Sequence, residues 1–231
     1  MEAKPPPIIE IMDLAAVLPG SSIRYRLDRL AIGRGDIVAL DFEAPADGRF
    51  LLRILATLAA PLGGQYRFDG ESVALDDYRQ CLSVKRRVGY VAADAAMISN
   101  RTVRENLLLS RFYHENDLSI DLDETMAALC ADAGLSGKLH WRPSELSDGE
   151  LLKAIAIREL GKSPAVMLVD RPENFMAASE DDGLFHHIKN VVQSGTAVVF
   201  QSHSRRVTEI AGRRLTLADG VIREAVHPRR F

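Results

Sequence analysis

Short runs of apolar residues recur at wide intervals along the chain. Four of them are rich in valine and isoleucine and too short for helices, at residues 37–42, 88–91, 166–169 and 197–201. Such runs are typical of strands that are buried on both faces of a parallel sheet. Two earlier segments, residues 8–14 and 23–32, alternate weakly between apolar and polar positions. They predict an antiparallel pair of strands at the start of the chain.

Helical patterns separate these runs. Residues 50–60 are apolar almost all round, and we predict a helix from about Arg49 that stops at Pro61. Residues 103–145 carry helical runs with polar breaks between them, and they predict a mainly helical insertion between two strands. Near the end of the chain, Asp219-Gly220 lies between apolar positions. This dipeptide is a strong signal for a two-residue hairpin turn.

Composition narrows the classes of function. The 231 residues include 29 Lys+Arg against 32 Asp+Glu, a formal net charge of −3, and 47% are hydrophobic. The apolar content supports a proper core, and the balanced charge without a long basic run argues against nucleic-acid binding. No uncharged apolar stretch reaches the roughly 18 residues of a membrane span, and neither a signal peptide nor a disulfide framework is indicated. We expect a cytoplasmic protein, or one held at a membrane by a partner.

Residues 146–160 have the sequence pattern of a helix with an N-terminal cap. Ser147 followed by Glu150 is a capping box, which predicts a helix whose N-terminus can attract anions. Alone, this pattern fits an ordinary surface helix with a good cap. Two later positions add to it, because Asp170 ends one apolar run and His203 follows another.

The order of these pieces resembles the nucleotide-binding subunits of ABC transporters. Residues 146–150, LSDGE, are similar to the LSGGQ signature of that family, Asp170 to its Walker B aspartate and His203 to its switch histidine. Residues 103–107, VRENL, resemble the TVRENL stretch at the start of its helical subdomain. The resemblance covers nearly the whole chain. It implies a single α/β, P-loop NTPase-like cassette over residues 1–231, with an antiparallel β edge, a core of residues 1–94 and 161–231, and a helical subdomain over about 95–160.

The phosphate-binding loop is where the chain departs from the family. A working loop reads GxxxxGK[ST]: glycines let the backbone wrap the phosphates, lysine neutralises them and the hydroxyl binds Mg²⁺. Without gaps, Gly48 stands at the lysine position and Arg49 at the Mg²⁺-ligand position. Shifted by one residue, Gly48-Arg49 replaces Gly-Lys and Phe50 stands at the hydroxyl position. In either register the hydroxyl is missing.

Other substitutions remove further nucleotide contacts. Pro45 lacks an N–H donor, and Glu43 and Asp47 bring negative charge towards a polyphosphate. The catalytic carboxylate, the Q-loop glutamine, the adenine-stacking aromatic and the D-loop aspartate of the family fall on Arg171, Ala93, Leu18 and Ala177. A cation such as Arg171 cannot act as the base that orients water. These losses predict a pseudo-ATPase.

The substitutions also suggest what fills the site. We hypothesise that Arg49 pairs with Asp170 and takes the space of the metal, since a guanidinium fork matches a carboxylate. The alternative is that Arg49 points to solvent and Asp170 is capped by backbone. At the signature, Ser147 and Gly149 would complete the ATP site of a partner in trans, weakened by Asp148. No intact catalytic residue, no metal site and no tightly bound cofactor is expected, with ATP and Mg²⁺ bound only weakly or in trans.

The resemblance implies a role in transport. It predicts a protein at the inner face of the membrane that docks on an ABC-type membrane subunit and pairs with a second nucleotide-binding chain of the same or another kind. The coupling contacts are expected between Ala95 and Glu145, with residues 94–106 the best stretch to mutate. Residues 142–147, RPSELS, resemble the Mce/Mla-type phospholipid-transport branch. Two alternatives remain open: a residual ATPase that uses Arg49 as the lysine and Glu173 as the base, and a regulatory or scaffold protein without a transporter.

Overall fold

The computed structural model describes residues 6–18, 24–115, 119–176 and 183–226. The strands in these ranges are β1 (Ile9–Val17), β2 (Arg24–Ile32), β3 (Ile37–Asp41), β4 (Gly63–Phe68), β5 (Glu71–Ser72), β6 (Val88–Val91), β7 (Val166–Asp170), β8 (Ala197–Gln201), β9 (Arg213–Ala218) and β10 (Val221–Val226). The helices are α1 (Pro45–Leu55), α2 (Tyr78–Arg87), α3 (Val103–Leu107), α4 (Leu109–Glu115), α5 (Glu124–Asp132), α6 (Asp148–Leu160), α7 (Gly183–Gln193) and α8 (Arg205–Thr208).

The described strands form one mixed sheet in the order β5-β4-β1-β2-β10-β9-β3-β8-β7-β6. The four apolar runs are β3, β8, β7 and β6, and they are parallel neighbours, as the sequence predicts. The opening strands β1 and β2 pair antiparallel with Ile9 opposite Ile32. Asp219 and Gly220 have positive φ angles of 51° and 73° and turn β9 into β10, which confirms the predicted hairpin.

The central strands separate two apolar cores. Alternate residues of a strand point to opposite faces of a sheet. Accordingly, Leu168 packs in the core that contains α1, and its neighbours Met167 and Val169 pack in the core that contains α5 and α6. The helices predicted between β6 and β7 therefore share a core with the sheet. The exact domain boundaries given above stay a prediction.

Helix α1 differs from the sequence prediction at both ends. It spans Pro45–Leu55, so it begins before Arg49 and ends before Pro61. Proline is well suited to the first helical turn because its missing N–H is not needed there. The end is a Schellman motif: Thr57 has a φ of 56°, and the Leu58 amide donates to the Arg53 carbonyl at 2.8 Å. A threonine in place of the usual glycine hides this stop from the sequence.

The helical region begins with a hydrogen-bonded loop. Thr102 and Glu105 form a capping box at the start of α3. The fully buried Asn106 accepts from the Ile98 amide at 2.8 Å and donates to the carbonyls of Ile98 and Thr102 at 3.0 and 2.9 Å. These bonds fix residues 98–102 against α3. Across the part of the chain that is described, no helix is long and apolar enough to cross a membrane.

Candidate functional site

The candidate site lies where the parallel strands end. Asp170 is the last residue of β7 and Gln201 the last residue of β8, and the two are partners in register. Helix α1 follows β3, the neighbour of β8 on the other side, and sets Arg49 beside them. Carboxyl ends of parallel strands at one sheet edge are the usual place for ligand sites in α/β folds.

Arg49 and Asp170 form an ion pair at the centre of this edge. The Nε atom of Arg49 donates to Oδ2 of Asp170 at 2.7 Å. Asp170 is buried, with an exposed fraction of 1%, and the Ala93 amide also donates to its Oδ2 at 3.4 Å. The hydrogen bond to Asp170 raises the pKa of Arg49 above its ordinary value. The hypothesis of a direct pair is confirmed, and the alternative of an Arg49 directed to solvent is wrong.

Arg49 also reaches the segment before the helical region. Its NH1 atom lies 3.8 Å from Oδ2 of the exposed Asp94. Asp94 follows Ala93, the residue that is predicted from the sequence to stand at the Q-loop position. One guanidinium thus links the end of β7 with the chain that leaves β6.

Gly48 is in close contact with a buried side chain. A Cβ atom at this position would lie 2.4 Å from Oε1 of Gln201. Gln201 has no exposed surface. The space in which a lysine at position 48 would start is therefore filled by Gln201.

The segment before Gly48 does not form an open phosphate loop. Because α1 begins at Pro45, its first turn occupies the segment that would wrap a phosphate. The Asp47 amide donates to the Ala44 carbonyl at 3.1 Å, and the Asp47 carboxylate accepts from the Tyr25 hydroxyl at 2.8 Å. With Arg49 at the metal-ligand position as well, the residues present do not fit Mg²⁺·ATP bound in the manner of the family.

Arg171 and Glu173, the residues at the two predicted positions of a catalytic base, both lie close to other side chains. Arg171 has a φ of 55° directly before Pro172, a strained arrangement because a residue before proline prefers extended backbone. Its Nε atom lies 4.0 Å from Oδ1 of Asp170. Glu173, the alternative base, accepts from the Ser202 hydroxyl at 2.7 Å. His203 follows β8 and is exposed.

Unpartnered polar atoms concentrate around the ion pair. Among the described residues, seven buried side-chain atoms have no hydrogen-bond partner, and five of them belong to Tyr90, Asp170, Arg171 and Gln201. Burial raises the pKa of Tyr90 to about 12, and the charge of Asp170 adds to this shift. Buried polar groups in proteins are normally paired, so this cluster is unusual.

The signature residues form a second, separate feature. Ser147 caps α6, and its hydroxyl and amide both donate to Oε2 of Glu150 at 3.0 Å. Lys138 pairs with the same carboxylate. The bond from Lys138 lowers the pKa of Glu150 to about 2, with help from Ser147. No hydrogen bond or ion pair among the described residues joins Ser147 or Gly149 to Arg49 or Asp170.

Sequence reasoning missed Gln201 and Tyr90 as parts of the site. A signal for Gln201 exists, since it is the polar last residue of an otherwise apolar run. Tyr90 carries no such signal. Ala177, the predicted D-loop position, lies outside the described residues. Within those ranges, no group of three or more His, Cys, Asp and Glu side chains is placed to hold a metal ion.

Comparisons with known proteins place this site in a family. The sequence profile of the ABC transporter family matches residues 49–174. The macrolide export ATP-binding/permease protein MacB of Brucella melitensis is 26% identical over 94% of this chain and 34% of its own length. The lipoprotein-releasing system ATP-binding protein LolD of Shewanella frigidimarina is 27% identical over 84% of this chain and 81% of its own. The chain thus spans about a third of MacB.

A solved structure has the same fold. A dimeric ATP-binding cassette in a post-hydrolysis state, bound to ADP and Pi, superposes with a TM-score of 0.77 at 21% identity, over 94% of this chain and 98% of the other. The fold and the strand-end site define an α/β, P-loop NTPase-like ATP-binding cassette. The chain belongs to the ABC transporter family.

Proposed function

We propose that this chain is a pseudo-ATPase: a degenerate cassette that acts in the assembly and coupling of a membrane transport complex without hydrolysing ATP itself. The observation that carries the proposal is the 2.7 Å bond between Arg49 and the buried Asp170. A guanidinium in this place neutralises the aspartate that would otherwise help to hold the metal ion. The proposal of impaired hydrolysis follows from this pair and from Arg171 at the position of the catalytic carboxylate.

The residual-ATPase alternative has less support. It requires Arg49 to bind phosphate in place of lysine, yet Arg49 already donates to Asp170. It also requires a carboxylate as base, and the candidate Glu173 accepts a hydrogen bond from Ser202. Both groups would have to leave their partners before they could serve.

A role in a membrane transport complex is supported by family membership and by similarity to MacB and LolD, whose names describe export and lipoprotein release. We propose that the chain sits at the cytoplasmic face of a membrane and docks on a permease-type subunit through residues 94–106. Ile98 in that stretch is 47% exposed, so its apolar side chain is available for contact with a partner. A second cassette chain would complete the complex, and a lipid-related cargo is the favoured class.

The first experiment measures binding of Mg²⁺·ATP to the purified chain by calorimetry and by thermal unfolding at millimolar nucleotide. A ligand at 100 times its Kd stabilises the native state by about 2.7 kcal/mol, so occupancy would be easily seen. We expect no heat of binding and no shift of the unfolding midpoint. A clear shift, with phosphate release that is lost in His203→Ala, would replace the pseudo-ATPase proposal with the residual ATPase.

Docking is tested separately by co-purification with a tagged candidate permease from detergent-solubilised membranes. Ile98→Asp should abolish co-purification without a change in thermal stability, because the side chain is exposed. The matched control is Leu62→Asp, at an apolar residue that is 67% exposed and lies outside residues 94–106. Equal loss in both variants, or no loss in either, would remove residues 94–106 from the contact.

A further inference from the structure

Gln201 is a buried polar side chain without hydrogen bonds. It has no exposed surface, and neither its Oε1 nor its Nε2 atom has a partner. Burying an unpaired amide is unfavourable, and most side chains of this kind in proteins are hydrogen-bonded. An apolar residue would continue the pattern of β8 at lower cost to folding. The neighbours of the Gln201 side chain indicate its role.

The side chain of Gln201 lies close to Gly48. A Cβ atom at position 48 would lie 2.4 Å from Oε1, 2.6 Å from Cδ and 3.1 Å from Cγ of Gln201. The two approaches under 3.0 Å are to the terminal amide group of Gln201, and Cγ is the next atom along its side chain. The partner of Gln201 in register is Asp170, which pairs with Arg49. Position 48 accepts only glycine while Gln201 keeps this conformation.

The structure favours one of the two registers of the phosphate loop. Arg49 faces Asp170, whereas Phe50 packs in the apolar core with Leu51 and Leu52. This arrangement corresponds to the ungapped register, in which Gly48 stands at the lysine position. The Cβ atom of that lysine would overlap with the end of the Gln201 side chain.

We propose that Gln201 is a second closure of the nucleotide site, which excludes a phosphate-binding lysine while Arg49 excludes the metal ion. The proposal rests on the proposed function and adds a specific consequence. The two closures come from different elements, β8 and α1, so restoring the loop residues alone does not reopen the site. Nucleotide binding returns only when Gln201 is changed with them.

A stability cycle tests the steric part. Gly48→Ala is made in the natural chain and in a Gln201→Ala background, and urea unfolding is measured for all four proteins. In the natural chain we expect the unfolding equilibrium constant to rise about tenfold or more, since tighter packing than a core tolerates is destabilising. In the Gln201→Ala background the change should vanish or reverse, because alanine favours a helix over glycine. Gly137→Ala, where a Cβ would meet nothing within 4 Å, is the control. An equal penalty in both backgrounds would overturn the proposal.

A binding experiment tests the functional part. Pro45→Gly, Asp47→Gly, Gly48→Lys and Arg49→Ser together restore GAGKS over residues 45–49 and leave the buried Phe42 in place. The probe is trinitrophenyl-ATP with Mg²⁺, followed by fluorescence, with and without Gln201→Val. We expect the added change to tighten binding by about tenfold or more, a difference of about 1.4 kcal/mol. Equal affinity of the two variants, or no binding by either when both are folded by circular dichroism, would contradict the role of Gln201.

The two proposals fail in different ways. Phosphate release from Mg²⁺·ATP by the unchanged chain would contradict the pseudo-ATPase proposal, whereas binding of the probe without phosphate release would contradict only the closure of the site. Binding by the restored loop regardless of Gln201 would leave that proposal standing and remove only the second closure. The stability cycle decides the steric claim even if the restored loop does not fold.

Discussion

The two members of the ion pair between Arg49 and Asp170 differ sharply in their access to water. Nε of Arg49 lies 2.7 Å from Oδ2 of Asp170, and side-chain exposure is 30% for the arginine and 0% for the aspartate. An exposed charge that loses its partner can be hydrated, but a buried one cannot. The pair should therefore respond unequally to the loss of its two members.

Arg49→Ala should destabilise the chain by about 3 kcal/mol, near the lower end of the range for stranding a buried charge. Asp170→Asn should cost less, because the remaining guanidinium can turn to solvent and the amide fills the same space. Urea unfolding at neutral pH measures both. Arg53→Ala, an exposed arginine one turn further along α1, is the control and should change stability by less than about 0.5 kcal/mol. Equal costs for Arg49→Ala and Asp170→Asn would contradict the assigned burial.

Much of the fold follows from the sequence because its signals are local. The buried parallel strands are short runs of β-branched residues, and the caps at Ser147 and the turn at Asp219-Gly220 depend on residues close in the chain. The errors arise where a local signal is unusual. Helix α1 ends at Leu55, and Thr57 just beyond it adopts the left-handed conformation that a glycine would normally mark.

Only part of the candidate site can be predicted from the sequence. The pair of Arg49 and Asp170 can be predicted because both stand at positions with assigned roles in the family. The contact between Gly48 and Gln201 cannot, since it depends on how closely α1 approaches β8 and on the conformation of one buried side chain. Packing distances of this kind are tertiary properties, and no periodicity in the sequence encodes them.

Tyr90→Phe should leave stability unchanged or raise it by about 1 kcal/mol, since the buried hydroxyl of Tyr90 has no hydrogen-bond partner. The contrast is Tyr66→Phe. The hydroxyl of Tyr66 donates to the Leu55 carbonyl at 2.9 Å in the apolar core, so its removal should cost about 1 to 2 kcal/mol. Thermal unfolding of both variants gives the comparison. Similar losses would mean that Tyr90 has a partner after all, such as an ordered water.

The cap of α6 should make stability depend on pH in acid. The pKa of Glu150 is lowered from 4.5 to about 2 by Lys138 and Ser147, so the folded chain holds this carboxylate ionised where the unfolded chain takes up a proton. Its contribution is present above pH 4.5 and is lost as the pH falls towards 2. Urea unfolding between pH 5 and 2.5 should show a decline that is shallower in Glu150→Gln. Parallel profiles for the two proteins would exclude Glu150 as the source, and high salt should reduce the difference because the pair is partly exposed.

Asn106→Ala should loosen the segment that leads into the helical region. Asn106 is fully buried and bonds to Ile98 and Thr102, so truncation leaves an amide and carbonyl groups of that segment without partners. We expect a loss of about 2 to 3 kcal/mol in unfolding free energy, together with faster hydrogen exchange of the amides of residues 98–102. Asn190→Ala, on the exposed face of α7, is the matched control and should change neither quantity. If residues 98–102 contact a permease subunit, Asn106→Ala should also weaken co-purification. Unchanged hydrogen exchange of residues 98–102 in the variant would show that contacts other than those of Asn106 keep this segment in place.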